Sequence, residues 1–158
     1  MRTIDDIDKT ILNALQKDGK LTMKELAAQL NMSTTPIFER VKRLERDGLI
    51  IGYRAIVDPQ KVDYPQIIYC SISLKDLSPE AQSYFDQVVC TLPQVQEVHL
   101  IAGDYDYLIK MVVRDINEFH EIYNKYLFQT KLLAKANSNF VIATKKATTA
   151  IILGEVQD

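Results

Sequence analysis

Apolar residues recur at helical spacing from the start of the chain. Ile4, Ile7, Ile11, Leu12 and Leu15 follow one another with acids between them and Gly19 behind them, which predicts a first helix ending at that glycine. Thr22-Met23-Lys24-Glu25 has the form of a capping box, in which hydroxyl and carboxylate satisfy backbone N–H groups that a helix start leaves unpaired. Leu26, Ala27 and Leu30 continue it as a short second helix. Beyond Asn31-Met32, Ser33 is placed to cap a third helix carrying Ile37, Val41 and Leu44 at i, i+4 and i+7, with Gly48 ending it. Three short helices joined by tight turns match a helix-turn-helix arrangement.

The period then changes. Residues 49–57 are β-prone up to Asp58-Pro59 and read as a strand or linker leaving the helical domain, with the boundary near residues 60–65. Residues 67–74 read as a strand, and Ser78-Pro79-Glu80 opens a helix with a cap, a proline and an early acid. Residues 97–102 and 107–113 are apolar strands around the turn Gly103-Asp104-Tyr105-Asp106. Asp115-Ile116-Asn117-Glu118 caps a helix running to about residue 129, and 138–144 supplies the last strand.

The order β-α-β-β-α-β is the ferredoxin-like pattern, so the fold class is α+β. The expected domains are a winged-helix-like helix-turn-helix domain with its linker strand over 1–60 and a ferredoxin-like domain over 65–158. Two helices cover one face of such a sheet. Ile68, Cys70, Ile72 and Leu74 fill that face, yet the other face keeps Ile101 and one of the alternating sets Leu108/Val112 or Ile109/Met111. A second copy of the sheet is the simplest cover, which predicts a homodimer; twist and residues 49–57 are the alternative cover.

Composition narrows the classes. With 158 residues, 47% of them hydrophobic, the chain suits a soluble globular protein rather than a disordered one. Acids near the N-terminus replace the apolar stretch of a signal peptide, and no run is long enough to span a bilayer, so the expectation is a cytoplasmic protein with no membrane partner. A net charge of −2 argues against gripping nucleic acid with the whole surface. The distribution is more telling: residues 1–64 hold 11 Lys and Arg against 10 Asp and Glu, and the remainder holds 8 against 11. Cys70 and Cys90 lack metal-ligand spacing and read as reduced core residues.

With Ile37, Val41 and Leu44 buried, a step of about 100° per residue puts Thr35, Glu39, Lys42 and Arg46 on the opposite face of the third helix, with Arg43 beside them. These are groove-reading types: Lys and Arg pair with guanine edges or phosphate, Glu accepts from cytosine, and Thr meets a thymine methyl. Ser33 and Thr34 stand at the helix start, where free N–H groups favour phosphate. Arg40 lies on the flank, as a phosphate contact or an internal ion pair. A merely solvated charged face is the competing reading, and the position on the third of three short helices weighs against it. An enzyme is the competing class. No metal cluster, phosphate loop or nucleophile-base pair stands out; His99 reads as packed or interfacial, His120 as a part-exposed helix residue, and Asp104/Asp106 as a weak acid pair, so neither catalysis nor a cofactor is expected. A ligand-binding ferredoxin-like module without DNA affinity is the third possibility.

Four stretches together carry a resemblance: Ile7-Asp8-Lys9-Thr10-Ile11-Leu12; Ser33-Thr34-Thr35-Pro36 with Glu39-Arg40-Val41-Lys42-Arg43-Leu44-Glu45; Gly48-Leu49-Ile50-Ile51-Gly52-Tyr53; and Gly103-Asp104-Tyr105-Asp106-Tyr107. In this order the chain resembles the Lrp/AsnC, or feast/famine, regulators. The resemblance implies double-stranded DNA as partner, dimers that commonly assemble into octamers, and an amino acid or related metabolite bound between dimers. Carried over, Gly103, Asp104, Tyr105 and Asp106 would hold that effector, with Ser138 contributed by a neighbour. Carboxylates suit an ammonium group, and N–H groups at a glycine turn suit a carboxylate. The chain departs from the family pattern at Thr130-Lys131-Leu132-Leu133 and at Ala136. A plain hairpin turn is the alternative for residues 103–106.

Overall fold

Asp5 begins the first helix, α1 (Asp6–Lys17), through a reciprocal box: its side chain accepts from the Asp8 N–H, and the Asp8 side chain accepts from the Asp5 N–H. The computed structural model describes residues 4–154. Helix α2 (Met23–Gln29) starts with the Thr22/Glu25 box read from the sequence. Its end is fixed by Asn31 at φ 52°, where the Asn31 N–H donates to Ala28 C=O and the Met32 N–H to Ala27 C=O. The next helix, α3 (Thr34–Arg46), closes in the same way at Gly48, φ 74°, with the Leu49 N–H donating to Leu44 C=O. Ile37, Val41 and Leu44 are buried against Ile11, Leu12, Leu15, Leu26 and Ala27. Each such aliphatic side chain contributes about 1.5–3 kcal/mol by leaving water.

The chain forms two compact units, one of residues 4–56 with 146–154 and the other of residues 57–145. The C-terminal residues that the sequence assigned to the second domain thus group with the helices. Residues 49–57 form no strand: Ile51, Ile56 and Val57 are exposed and the segment pairs with nothing among the described residues. Their β propensity reflects side-chain type, and a strand exists only where a neighbour takes its hydrogen bonds.

In the second unit β1 (Gln66–Leu74), α4 (Pro79–Cys90), β2 (Val95–Leu100), β3 (Tyr107–Val113), α5 (Ile116–Ile122) and β4 (Leu133–Phe140) follow the expected order. After α5 the chain stays helical through a π turn (Tyr123–Leu127) and a 3-10 turn (Phe128–Thr130). The sheet is antiparallel in the order β2-β3-β1-β4. Its core holds Ile68, Cys70, Ile72, Phe85, Val89, Tyr107, Ile109 and Met111, so Ile109/Met111 is the inward set and Leu108/Val112 faces the other way. That second face is mixed rather than apolar, since the register also sets Tyr69 beside Lys110 and Lys110 beside Glu97. His99 is exposed there, 3.3 Å from Glu97, rather than packed.

The last strand lies about five residues earlier than the sequence suggested. Lys131, at φ 59°, turns the chain, and Leu133-Ala-Lys-Ala-Asn-Ser-Asn-Phe pairs along β1 from Leu74 to Ile68. Its Ala, Lys and Asn residues are poor strand formers; the open edge of β1 imposes the conformation. Cys70 is buried as expected, whereas Cys90, at the end of α4, is exposed.

Phe85 is wholly buried and its ring lies 4.9 Å from that of Tyr107. Phe85→Ala should therefore lower the stability of the sheet unit by about 3–5 kcal/mol, measured by urea unfolding.

Candidate functional site

The first four residues of α3 leave backbone N–H groups without helical partners. Ser33 occupies the N-cap, but its side chain makes no capping hydrogen bond and no acid stands in the first turn. Ser33, Thr34 and Thr35 are exposed, so this end of the helix offers hydroxyls and N–H groups to a phosphate. Further along the exposed side, Lys42 donates to Glu45 at 3.0 Å and Arg46 to Asp47 at 3.1 Å, both pairs reaching solvent. Glu39 is exposed. Surface pairs of this kind are worth little and exchange readily for phosphate or base partners.

Arg40 and Arg43 behave differently. The Arg40 guanidinium donates to Asp5 at 2.6 Å and to Asp8 at 2.8 Å, and Arg43 donates to the other oxygen of Asp8. Asp8 is almost fully buried, so two guanidinium groups compensate one carboxylate that has left water. The Asp8 N–H and the Arg40 guanidinium hold the Asp5 carboxyl below its ordinary range. The sequence placed Arg43 beside the reading face and offered an ion pair as one role for Arg40; the structure ties both to α1. Glu39, Arg40, Arg43 and Arg46 nonetheless line one shallow polar concavity of about 320 Å³.

One exposed residue of α3 escaped the sequence reading. Phe38 is 44% exposed, with the Lys42 ammonium 5.8 Å from its ring centre. An aromatic edge suits a thymine methyl. Its signal was the large apolar residue one step off the Ile37-Val41-Leu44 stripe.

In the sheet unit, residues 103–106 turn the chain from β2 into β3. Asp106 serves the fold: its N–H donates to Ile72 C=O at 2.9 Å and its carboxylate accepts from the Leu74 N–H at 2.8 Å. Gly103 and Asp104 are exposed, and the Tyr105 ring lies 4.5 Å from the Lys135 ammonium. Ser138 sits opposite Cys70 on β4, its hydroxyl 3.6 Å from the thiol. Ser138 pairs with Cys70, further back along β1 than Ile72 and Leu74 where the turn is fastened, and its hydroxyl meets only Cys70 among the described residues. Tyr107, just beyond, belongs to the core; burial, with the Asp86 carboxylate, pushes its hydroxyl up to about 12.

A second feature absent from the sequence reading is Glu118, buried at the start of α5. It accepts from the Arg114 N–H at 2.7 Å, from the Arg114 guanidinium and from Gln94. Burial pushes its carboxyl up, but these donors outweigh that and hold it below the ordinary range.

A helix-turn-helix unit with an exposed polar face on its third helix, joined to a ferredoxin-like unit, defines a two-part DNA-binding regulator. Residues 4–51 match a winged helix-turn-helix DNA-binding family, and residues 67–151 match the Lrp/AsnC ligand binding domain. The leucine-responsive regulatory protein of Haemophilus influenzae is 35% identical over 152 residues, covering 96% of this chain and 92% of that protein. Its counterpart in Escherichia coli K12 is 34% identical, covering 96% and 93%. Among solved structures, a Neisseria meningitidis transcriptional regulator in complex with L-Met superposes with a TM-score of 0.90 at 30% identity, over 94% of this chain and 96% of that one. An AsnC family transcriptional regulator from Agrobacterium tumefaciens gives 0.89 at 33% identity, with the same coverage. The chain belongs to the Lrp/AsnC family of transcriptional regulators.

Two predictions come from the carboxylates. Asp8→Asn takes the only paired acid from Arg43 among the described residues and leaves Arg40 with Asp5 alone, and should destabilise the helical unit by about 1–3 kcal/mol in thermal or urea unfolding. Asp5 and Glu118 bind a proton less tightly folded than unfolded, so their contribution is complete above the ordinary carboxylate range and is lost as pH falls through the lower folded values. A melting-temperature series should therefore stay level above about pH 5 and decline below about pH 4.

Proposed function

We propose that α3 enters the major groove of double-stranded DNA with Thr35, Glu39, Lys42 and Arg46 toward the bases and Phe38 beside them. Ser33 and Thr34 take a backbone phosphate, and Arg40 and Arg43, steadied by Asp8, line the flank next to a second phosphate. The observation that carries this reading is the division of α3 into two sides. Ile37, Val41 and Leu44 are at most 2% exposed, while Thr35, Glu39, Lys42 and Arg46 all face solvent.

The sheet unit binds an amino acid or related metabolite at residues 103–106. The L-Met complex of the Neisseria relative supports an amino acid as the ligand class. Asp104, exposed at the turn, suits its ammonium group. Asp106 is already bound to β1, which leaves it a supporting part, and Ser138 takes part only if a neighbouring chain supplies it. The protein acts as a homo-oligomer, a dimer assembling toward an octamer. Ile101 and Tyr69, at 38% and 37% exposure on the face of the sheet that its helices leave uncovered, support a partner over that face. It is a regulator and not an enzyme, and it works in the cytoplasm; no helix among the described residues is long and apolar enough to cross a membrane.

Fluorescence anisotropy on the chain's own upstream DNA tests the reader. Lys42→Ala or Arg46→Ala should each cost about 1–3 kcal/mol of binding where the residue reads a base, and should reduce the salt slope by about one where it contacts phosphate. Unchanged affinity and slope for both would remove this face as the reader. For the effector, light scattering and calorimetry across the twenty amino acids should find one that binds and shifts the assembly, and Asp104→Ala should abolish that binding. Heat from none of them would count against the sensor.

A further inference from the structure

Against α1 lies a piece of chain with no helix or strand of its own. The Gln16 carboxamide meets Ile151 twice: its Oε1 accepts from the Ile151 N–H at 2.7 Å, and its Nε2 donates to the Ile151 C=O at 3.0 Å. One planar amide thus satisfies both backbone groups of a single residue, as a neighbouring β-strand would. Asn13, three residues back and on the same side of the helix, donates from Nδ2 to the Leu153 C=O at 2.9 Å. Leu153 itself is half-buried against the core of Ile11, Leu12 and their neighbours. Ile151 and Ile152 stay 69% and 75% exposed, so the hold is on the backbone and on one apolar side chain.

We propose that the Asn13/Gln16 side of α1 is a docking site for an extended segment with one apolar anchor, and that its occupant is the chain's own residues 151–153. The ten residues between Phe140 and Ile151 form no helix or strand and are almost all exposed. Docking therefore fastens the segment that follows β4 to the helical unit by non-covalent contacts, besides the chain's own passage through residues 49–57. Two exposed hydrogen bonds, one part-buried one and one half-buried leucine make a modest hold, so the strap docks and releases rather than locking. Held close by its own chain, the segment needs little intrinsic affinity to occupy the site.

Amide hydrogen exchange by NMR on the full chain reads the docking directly. The Ile151 N–H should exchange about tenfold more slowly than the Ile152 N–H, its neighbour of the same type. Gln16→Ala should abolish that difference while Ile11 and Leu12 keep their protection, because alanine favours the helix and Gln16 is exposed. Leu153→Ser should weaken the protection through the anchor alone. The protection should not change with protein concentration. Equal exchange of Ile151 and Ile152 in the parent chain overturns the docking site, as does protection that survives Gln16→Ala; protection that fades on dilution overturns the same-chain occupant.

Discussion

One buried carboxylate sets the geometry of the reader. Asp8 closes the capping box that starts α1 and at the same time holds Arg40 and Arg43 of α3. The apolar stripe of α3 fixes which side faces the core, but burial alone is non-directional and lets a helix slide or roll on its neighbours. Two charge-assisted hydrogen-bonded pairs to a single side chain are directional, and they bind the middle of α3 to the first turn of α1. With two arginines committed inward, the outward side is left to Thr35, Phe38, Glu39, Lys42 and Arg46. The division between side chains that hold α3 in place and side chains left outward follows from where one acid is buried.

The helical half was legible because local rules and tertiary packing agree there. The Thr22/Glu25 box, the Gly48 stop and the i, i+4, i+7 stripe are kept by the structure, whereas Ser33 makes no side-chain cap and α1 ends at Lys17, with Asp18 and not Gly19 as its cap. What could not be read was the pairing of charges. Helical spacing shows that Arg43 flanks the exposed side, but nothing local to α3 says that an acid 35 residues earlier will claim it. Phe38 was missed for the converse reason, since an apolar residue is counted as core until burial shows that it is not.

In the sheet half, propensity and pairing part company. Residues 49–57 carry Leu, Ile, Tyr and Val yet find no partner strand among the described residues, while residues 133–140, rich in Ala, Lys and Asn, are held as a strand by the open edge of β1. The sequence shows what a residue prefers, and the sheet edge decides where that preference is spent or overridden. The order of elements was still correct, because each turn and cap around α4, β3 and α5 is chemically marked.

The turn at residues 103–106 illustrates how a short motif divides between support and chemistry once contacts are known. Asp106 spends its carboxylate on the Leu74 N–H and its own N–H on Ile72 C=O, while Ile101 donates to Asp106 C=O at 2.8 Å. The turn is therefore fastened to β1, a central strand, and is not a free loop. Lys135, reaching Tyr105 from β4, ties the same place to the last strand, and the Lys75 N–H donates to Leu132 C=O at 2.7 Å just beyond. A platform held at so many points keeps its shape with or without a ligand, so any selectivity it has must come from the groups it leaves free. Those are the Asp104 carboxylate and the Gly103 backbone, since the Tyr105 ring already meets Lys135; replacing Asp106 would loosen the platform before it altered any preference for one ligand over another.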